Sequence, residues 1–186
     1  MYLMSSNLMT AIKFAAKKHH SQLRKDSYTP FIVHPLVVAI TTAKLTKKED
    51  NLIAAVLHDV IEDTKTSFEE IENMFGSKVS NLVKELTHDL TPNISKDVRK
   101  LKSIEKIKHL SKPAALIKYC DILCNNQELL IQLKEEGASF IKSFNWSMRE
   151  KYEYEVRRLE EFKKNHKNID TKELEICLEK IKVVIS

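Results

Sequence analysis

Glycine is almost missing from this sequence of 186 residues: there are two, Gly76 and Gly137, far apart. No glycine-rich phosphate loop and no dinucleotide fingerprint can be written, so the nucleotide enzymes built on those motifs are excluded. Proline is nearly as scarce, with four residues. A β-sandwich or barrel needs a turn signal about every eight to twelve residues, and these few turn formers cannot supply it. The three cysteines, Cys120, Cys124 and Cys177, are odd in number and have no C-x-x-C spacing. Neither a disulfide framework nor a zinc knuckle is indicated, and all three read as buried thiols. No apolar run approaches the roughly eighteen residues of a membrane span. The N-terminus also lacks a basic stretch leading into an apolar run with a small-residue cleavage site, so the expected compartment is cytoplasmic.

What is present is apolar mass and charge. Hydrophobic residues make up 42% of the chain and charged residues 31%, which suits one globular domain, 1–186, with a real core. The formal net charge of +5 hides an uneven distribution. Residues 1–48 hold eight Lys or Arg against one acid, whereas residues 49–76 hold eight acids against one Lys. Opposite blocks side by side suit a metal-assisted reaction on a phosphate compound, where carboxylates hold the cation and basic groups hold the anion. They equally suit solvated helix faces. Motifs have to decide.

Apolar residues recur at helical spacing nearly throughout, as in Leu8, Ile12, Ala15, Ala16 and again in Leu36, Val37, Ile40, Ala43. The pattern predicts an all-α fold with helices at about 6–20, 35–46, 49–61, 68–75, 77–88, 96–110, 114–135, 145–165 and 171–184. Pro35 fits a first turn, Ser67 with Glu70 and Asp170 with Glu173 resemble capping boxes, and the two glycines fall where helix C-caps belong. Residues 21–33 break the pattern with a long polar loop, and residues 89–95 with a second one. Long ordered loops in compact chains are often functional.

The informative stretch is Ala54-Ala55-Val56-Leu57-His58-Asp59-Val60-Ile61-Glu62-Asp63-Thr64. If helix geometry persists through it, His58 and Glu62 share one face and Asp59 and Asp63 the next. Ile53, Val56, Leu57 and Val60 then form the stripe that packs inward. Three carboxylates within five residues repel one another unless a cation relieves them. Imidazole with carboxylate suits Zn, Mn, Fe or Ni, and several oxygen ligands lean towards Mn or Mg. A His-Asp doublet supplies too few ligands alone. His34, fixed before Pro35 at a helix start, is one further candidate. Asp121 is another, on a polar stripe with Lys118 and Asn125 in an otherwise apolar helix. A second doublet, His88-Asp89, stands at a helix end without a carboxylate at i+4. It reads as surface or capping groups.

With these residues in place, the chain resembles the HD-domain metal phosphohydrolases, and within them the hydrolase domain of the RelA/SpoT family. It is most similar to the stand-alone small alarmone hydrolases that lack a synthetase domain. Four motifs carry the resemblance in order: Phe14 to His19 with Gln22-Leu23-Arg24-Lys25-Asp26; Pro30 to Leu36; Ala54 to Thr64; and Lys118-Tyr119-Cys120-Asp121 with Asn125. The match runs from about residue 8 to about 130 and more faintly to about 160.

The resemblance implies a compact helical HD domain, with helices packing C-terminally at about 145–184. It also implies an Mn²⁺-dependent 3′-pyrophosphohydrolase of ppGpp and pppGpp. His34, His58, Asp59 and Asp121 carry over as metal ligands, and Glu62 and Asp63 as the pair that marks active members. Arg24, Lys25, Lys100 and Asn125 carry over as substrate-binding residues, with Arg99 beside them. The pattern departs from the family at Ile122, Cys124 and Glu128, which bears on substrate preference rather than on the ligands. Two alternatives remain: an HD phosphohydrolase of another nucleotide, such as a nucleoside monophosphate or NADPH, and a degenerate nucleotide-sensing domain. The partner expected is a guanosine polyphosphate, with no nucleic acid and no membrane.

Overall fold

The structure, a computed structural model, describes residues 5–88, 95–137 and 147–185. Among these the regular elements are helices: α1 Ser6–Lys18, α2 Val33–Leu45, α3 Glu49–Leu57, α4 Val60–Asp63, α5 Phe68–Phe75, α6 Ser77–Leu86, α7 Lys96–Ile107, α8 Lys112–Glu136, α9 Met148–Asn165 and α10 Lys172–Ile185. The all-α expectation holds for them, and the sole extended pairing among the described residues is an isolated bridge between Leu23 and Pro30. Asp89 and residues 90–94 of the second polar break lie outside the described residues, as do residues 145 and 146 of the predicted helix 145–165.

Helix ends follow their local chemistry. Ser5, Ser67, Ser95 and Ser147 each accept a hydrogen bond from the backbone N–H three residues on, which satisfies one orphan donor of the first turn. The reciprocal half of the capping box at Ser67 is not made, because the Glu70 carboxylate turns to the Lys18 ammonium at 2.9 Å instead. Gly76, at φ +85°, closes α5 and opens α6, a backbone conformation that side chains rarely tolerate.

The chain divides into two compact units, each with its own core. The first comprises residues 5–88 and 110–121, so that α8 belongs to it from Lys112 to Asp121. At its centre lies α3, packed by α1, α2 and α6. The sequence suggested one inward stripe on this helix; instead every residue from Asn51 to Leu57 is buried. A helix covered all round needs apolar residues all round, and Ala54 and Ala55 let neighbouring helices come close. The predicted helix 49–61 also breaks at His58 and Asp59, where Asp59 adopts φ −98°, ψ −8°, a sparsely populated region common at functional sites.

The second unit comprises residues 95–109, 122–137 and 147–185. Here α9 packs against α7 and α10 around Ile107, Phe162, Leu174 and Ile181. Glu155 is buried among them and is shared by Lys151 and Arg158, with Arg158 Nη1 3.2 Å from Oε2. Ile122 and Cys124, two departures from the family pattern, are buried in this unit. Cys177 is buried as well, and its thiol is pushed up to about 11 by burial.

Candidate metal centre

Four side chains from two helices and one break converge in the first unit. His34 sits in the first turn of α2, beside Pro35, whose missing N–H costs nothing there. His58 and Asp59 occupy the break between α3 and α4, and Asp121 is the last residue of α8 that belongs to this unit. His34 Nε2 lies 3.2 Å from Asp121 Oδ1 and 3.8 Å from Asp59 Oδ2. His58 Nε2 lies 3.2 Å from Asp59 Oδ1 and 3.7 Å from Asp121 Oδ1. The two imidazole rings stand edge to face, 5.4 Å apart between centroids.

Whether this set suits a cation can be decided from proton positions. His58 Nδ1 is 2.8 Å from the Ala55 carbonyl, which only accepts, so Nδ1 carries the hydrogen. In the neutral ring Nε2 is then a bare lone pair, and it is fully buried without a hydrogen-bond partner. It faces carboxylate oxygens, which are acceptors too. Lone pairs meeting lone pairs in a buried site are stable only with a cation or a proton among them. Atoms sharing one cation at about 2.0–2.2 Å stand about 3.0–3.5 Å apart, close to the spacing found here. The residues fit a divalent metal. The ligand atoms of His34, His58 and Asp121 all lie within 4.8 Å of one another.

The electrostatics agree. Burial alone would lower the His58 pKa, but the Asp59 and Asp121 carboxylates outweigh it and hold the imidazole well above its usual range. Burial pushes Asp121 upward, yet the Lys118 ammonium and the two imidazoles hold it well below the usual carboxylate range. Lys118 is itself buried, with Nζ 2.8 Å from Asp121 Oδ2, so that Oδ1 is left for the imidazoles. The sequence placed Lys118 on the polar stripe of α8 without giving it a role.

Glu62 and Asp63 belong to α4 beside this cluster. The Glu62 Oε1 atom accepts the His88 backbone N–H at 2.7 Å. Burial raises the Glu62 pKa, against the pull of Lys118, and burial with repulsion from Asp59 raises that of Asp63. Two carboxylates with raised pKa values next to a cation site are candidates for proton transfer.

Arg24 and Lys25 lie in the loop after α1. The loop is ordered by its own bonds: Asp26 Oδ1 accepts the N–H groups of Tyr28 and Thr29, and Arg24 N–H donates to the Thr29 carbonyl at 2.8 Å. Ser21 at φ 67° and Ser27 at φ 65° hold left-handed backbone on either side of the two basic residues. The Arg24 guanidinium lies over the Phe31 ring, 5.6 Å from its centroid. Lys100 and Asn125 belong to the second unit, Lys100 with its ammonium 3.3 Å from Asp97 and Asn125 half-buried on α8.

Comparison with known proteins points the same way. Residues 11–135 match the HD domain family. The chain is 44% identical over 125 residues to a Xenopus tropicalis protein, covering 66% of this chain and 69% of that protein. A human relative is 41% identical over 128 residues, covering 67% and 70%. Both bear the name guanosine-3′,5′-bis(diphosphate) 3′-pyrophosphohydrolase MESH1. Among solved structures, a metazoan orthologue of SpoT described as hydrolysing ppGpp superimposes with a TM-score of 0.77 at 30% identity, covering 97% of this chain and 96% of that one.

Proposed function

Because the chain belongs to the HD-domain family, we propose that it is a metal-dependent 3′-pyrophosphohydrolase of ppGpp and pppGpp, releasing pyrophosphate and, respectively, GDP and GTP. The observation that carries the reading is the convergence of His34, His58, Asp59 and Asp121 on one buried point where an imidazole lone pair has no hydrogen-bond partner. These four would hold the metal. When bound, the cation acidifies the attacking water and draws off charge that develops on the phosphoryl oxygens. Mn²⁺ is the ion assigned, since two imidazoles with two carboxylates make a mixed nitrogen and oxygen set.

The residues do the rest. Glu62, with Oε1 tied to His88 N–H, keeps Oε2 to take a proton from the water, and Asp63 orients that water. An O–P bond forms at the phosphorus attached to O3′, the P–O3′ bond breaks, and the 3′ oxygen leaves with a proton. Arg24 and Lys25 hold the nucleotide, and a guanidinium that already lies over the Phe31 ring is suited to stack on a purine as well. The resemblance gives Lys100 and Asn125 as further substrate-binding residues.

We read residues 1–186 as one hydrolase domain, because the family match over 11–135 takes in residues of both compact units. No helix among the described residues is long and apolar enough to cross a membrane, and a guanosine polyphosphate substrate suits a cytoplasmic enzyme.

The test is product analysis. EDTA-treated protein given ppGpp should be inactive, Mn²⁺ should restore turnover, and the products should be GDP and pyrophosphate. Asp59→Ala should stay inactive with Mn²⁺ present. Orthophosphate as the product, or full turnover in metal-stripped protein, overturns the reading.

A further inference from the structure

His19 and Gln22 belong to the first motif but have no part in the chemistry so far. Their side chains form a chain of hydrogen bonds that ends on Asp63. Gln22 Nε2 donates to the Asp63 backbone carbonyl at 2.7 Å. A carbonyl only accepts, so this bond fixes which end of the Gln22 amide is nitrogen and turns Oε1 towards His19. Oε1 lies 2.7 Å from His19 Nδ1 and has no hydrogen to give. The proton between them therefore sits on Nδ1. The ring is buried, 3% exposed, and tilted against Phe31 with centroids 4.8 Å apart, so it cannot swing away. Its Nε2 is buried without a hydrogen-bond partner.

The bond on Asp63 matters because of where it falls. Helix α4 is a single turn, and Thr64 leaves it in extended backbone at φ −137°. The last carbonyls of a helix have no partner within it. Inside α4 the Asp63 backbone is held by its N–H on the Asp59 carbonyl at 3.0 Å, and Gln22 holds its carbonyl from outside. Fixing both ends of one residue fixes its Cα–Cβ direction and so the place from which its side chain reaches.

We propose that His19 is a positioning residue: through Gln22 it locks the backbone of Asp63 and so aims the Asp63 carboxylate at the reacting water. The inference rests on the catalytic role given to Asp63 above. Its test has one readout that needs no turnover. Nitrogen-15 NMR of the His19 ring should show the Nδ1–H tautomer, and Gln22→Met should abolish that single tautomer. An Nε2–H tautomer in the wild type overturns the relay. If the wild type released no pyrophosphate, the functional reading would fail while the tautomer still decided whether the relay exists.

Turnover then tests its purpose. His19→Ala and Gln22→Met should each lower kcat about 10- to 100-fold, the scale of a misplaced catalytic group. KM should stay within about twofold and metal content should not change. The double variant should be no worse than the worse single, because both remove one device. His19→Asn, whose Nδ2 stands where Nδ1 stood, should recover at least half of the lost kcat, and Gln22→Glu should not. Losses that multiply in the double variant, or that fall on KM alone, overturn the positioning role.

Discussion

Replacing Lys118 by methionine isolates what holds the metal centre together when no metal is bound. The substitution keeps the length and most of the volume of the side chain and removes only the charge. In the wild type Nζ stands 2.8 Å from Asp121 Oδ2, and both residues are more than nine-tenths buried. At an effective dielectric constant of about 20 two charges at that distance attract by about 6 kcal/mol. Part of this offsets the cost of burying the ammonium, so the net loss on cutting one partner should be about 3–5 kcal/mol. For a chain of this size each kcal/mol moves Tm by about 2–4 °C, giving a fall of about 6–20 °C in EDTA-treated protein. Saturating Mn²⁺ supplies a new cation beside Asp121 and should recover more than half of that fall. Circular dichroism melts with and without metal measure both. A loss below about 2 °C in the stripped protein, or no recovery with Mn²⁺, would refute the idea that Lys118 stands in for the cation at Asp121.

The proposed roles of Glu62 and Asp63 predict a pH profile. Burial raises Glu62 and burial with Asp59 raises Asp63, and the proposed roles need their unprotonated forms. At saturating metal, kcat should fall as pH drops through values above the ordinary carboxylate range near about 4. Glu62→Gln should remove most turnover while metal content, measured by atomic absorption, stays near wild type; a profile that stays flat down into the ordinary carboxylate range would exclude both carboxylates from proton transfer. In the second unit, Glu155→Ala strips Lys151 and Arg158 of their shared carboxylate and should cost about 3–5 kcal/mol in urea unfolding. Because burial is outweighed there by Arg158 and Lys151, the Glu155 pKa is lowered in the fold. Its contribution is fully present above the unfolded value near about 4.3 and is lost as pH falls through the folded value. Wild type and variant should therefore converge in stability at low pH.

The helices were legible because periodic apolar residues and serine or glycine caps are local signals, and local signals decide where helices start and stop. Two things were not. Nothing in Leu57-His58-Asp59-Val60 breaks a helix by propensity, yet the backbone leaves α-helix there, as the site's geometry requires. Similarly, a stripe of four apolar residues cannot reveal that α3 is covered on every side; Asn51, Ala54 and Ala55 become core because other helices surround them. Glu70 had the spacing of a capping box, but a lysine 52 residues away in sequence took its carboxylate.

The four ligand candidates could be named because histidine and aspartate advertise their chemistry and because their order resembles a family's. Lys118, His19 and Gln22 could not be given roles the same way. A lysine one turn from an aspartate on a helix reads as a surface pair, and only packing shows that it is buried, 8% exposed. The block charges misled in the same sense. Of the eight acids in residues 49–76, Asp59 and Glu62 turn inward to the site while Glu69 and Glu72 face solvent, so the block total describes neither group. What matters is the local count. Asp59 and Asp121 carry two negative charges and Lys118 one positive, so a dication leaves one net positive charge among these groups, and unprotonated Glu62 and Asp63 turn the total to one net negative charge. Without Lys118 that total would be one unit more negative, so the residue that steadies Asp121 in the metal-free protein also lessens the repulsion a polyphosphate meets there.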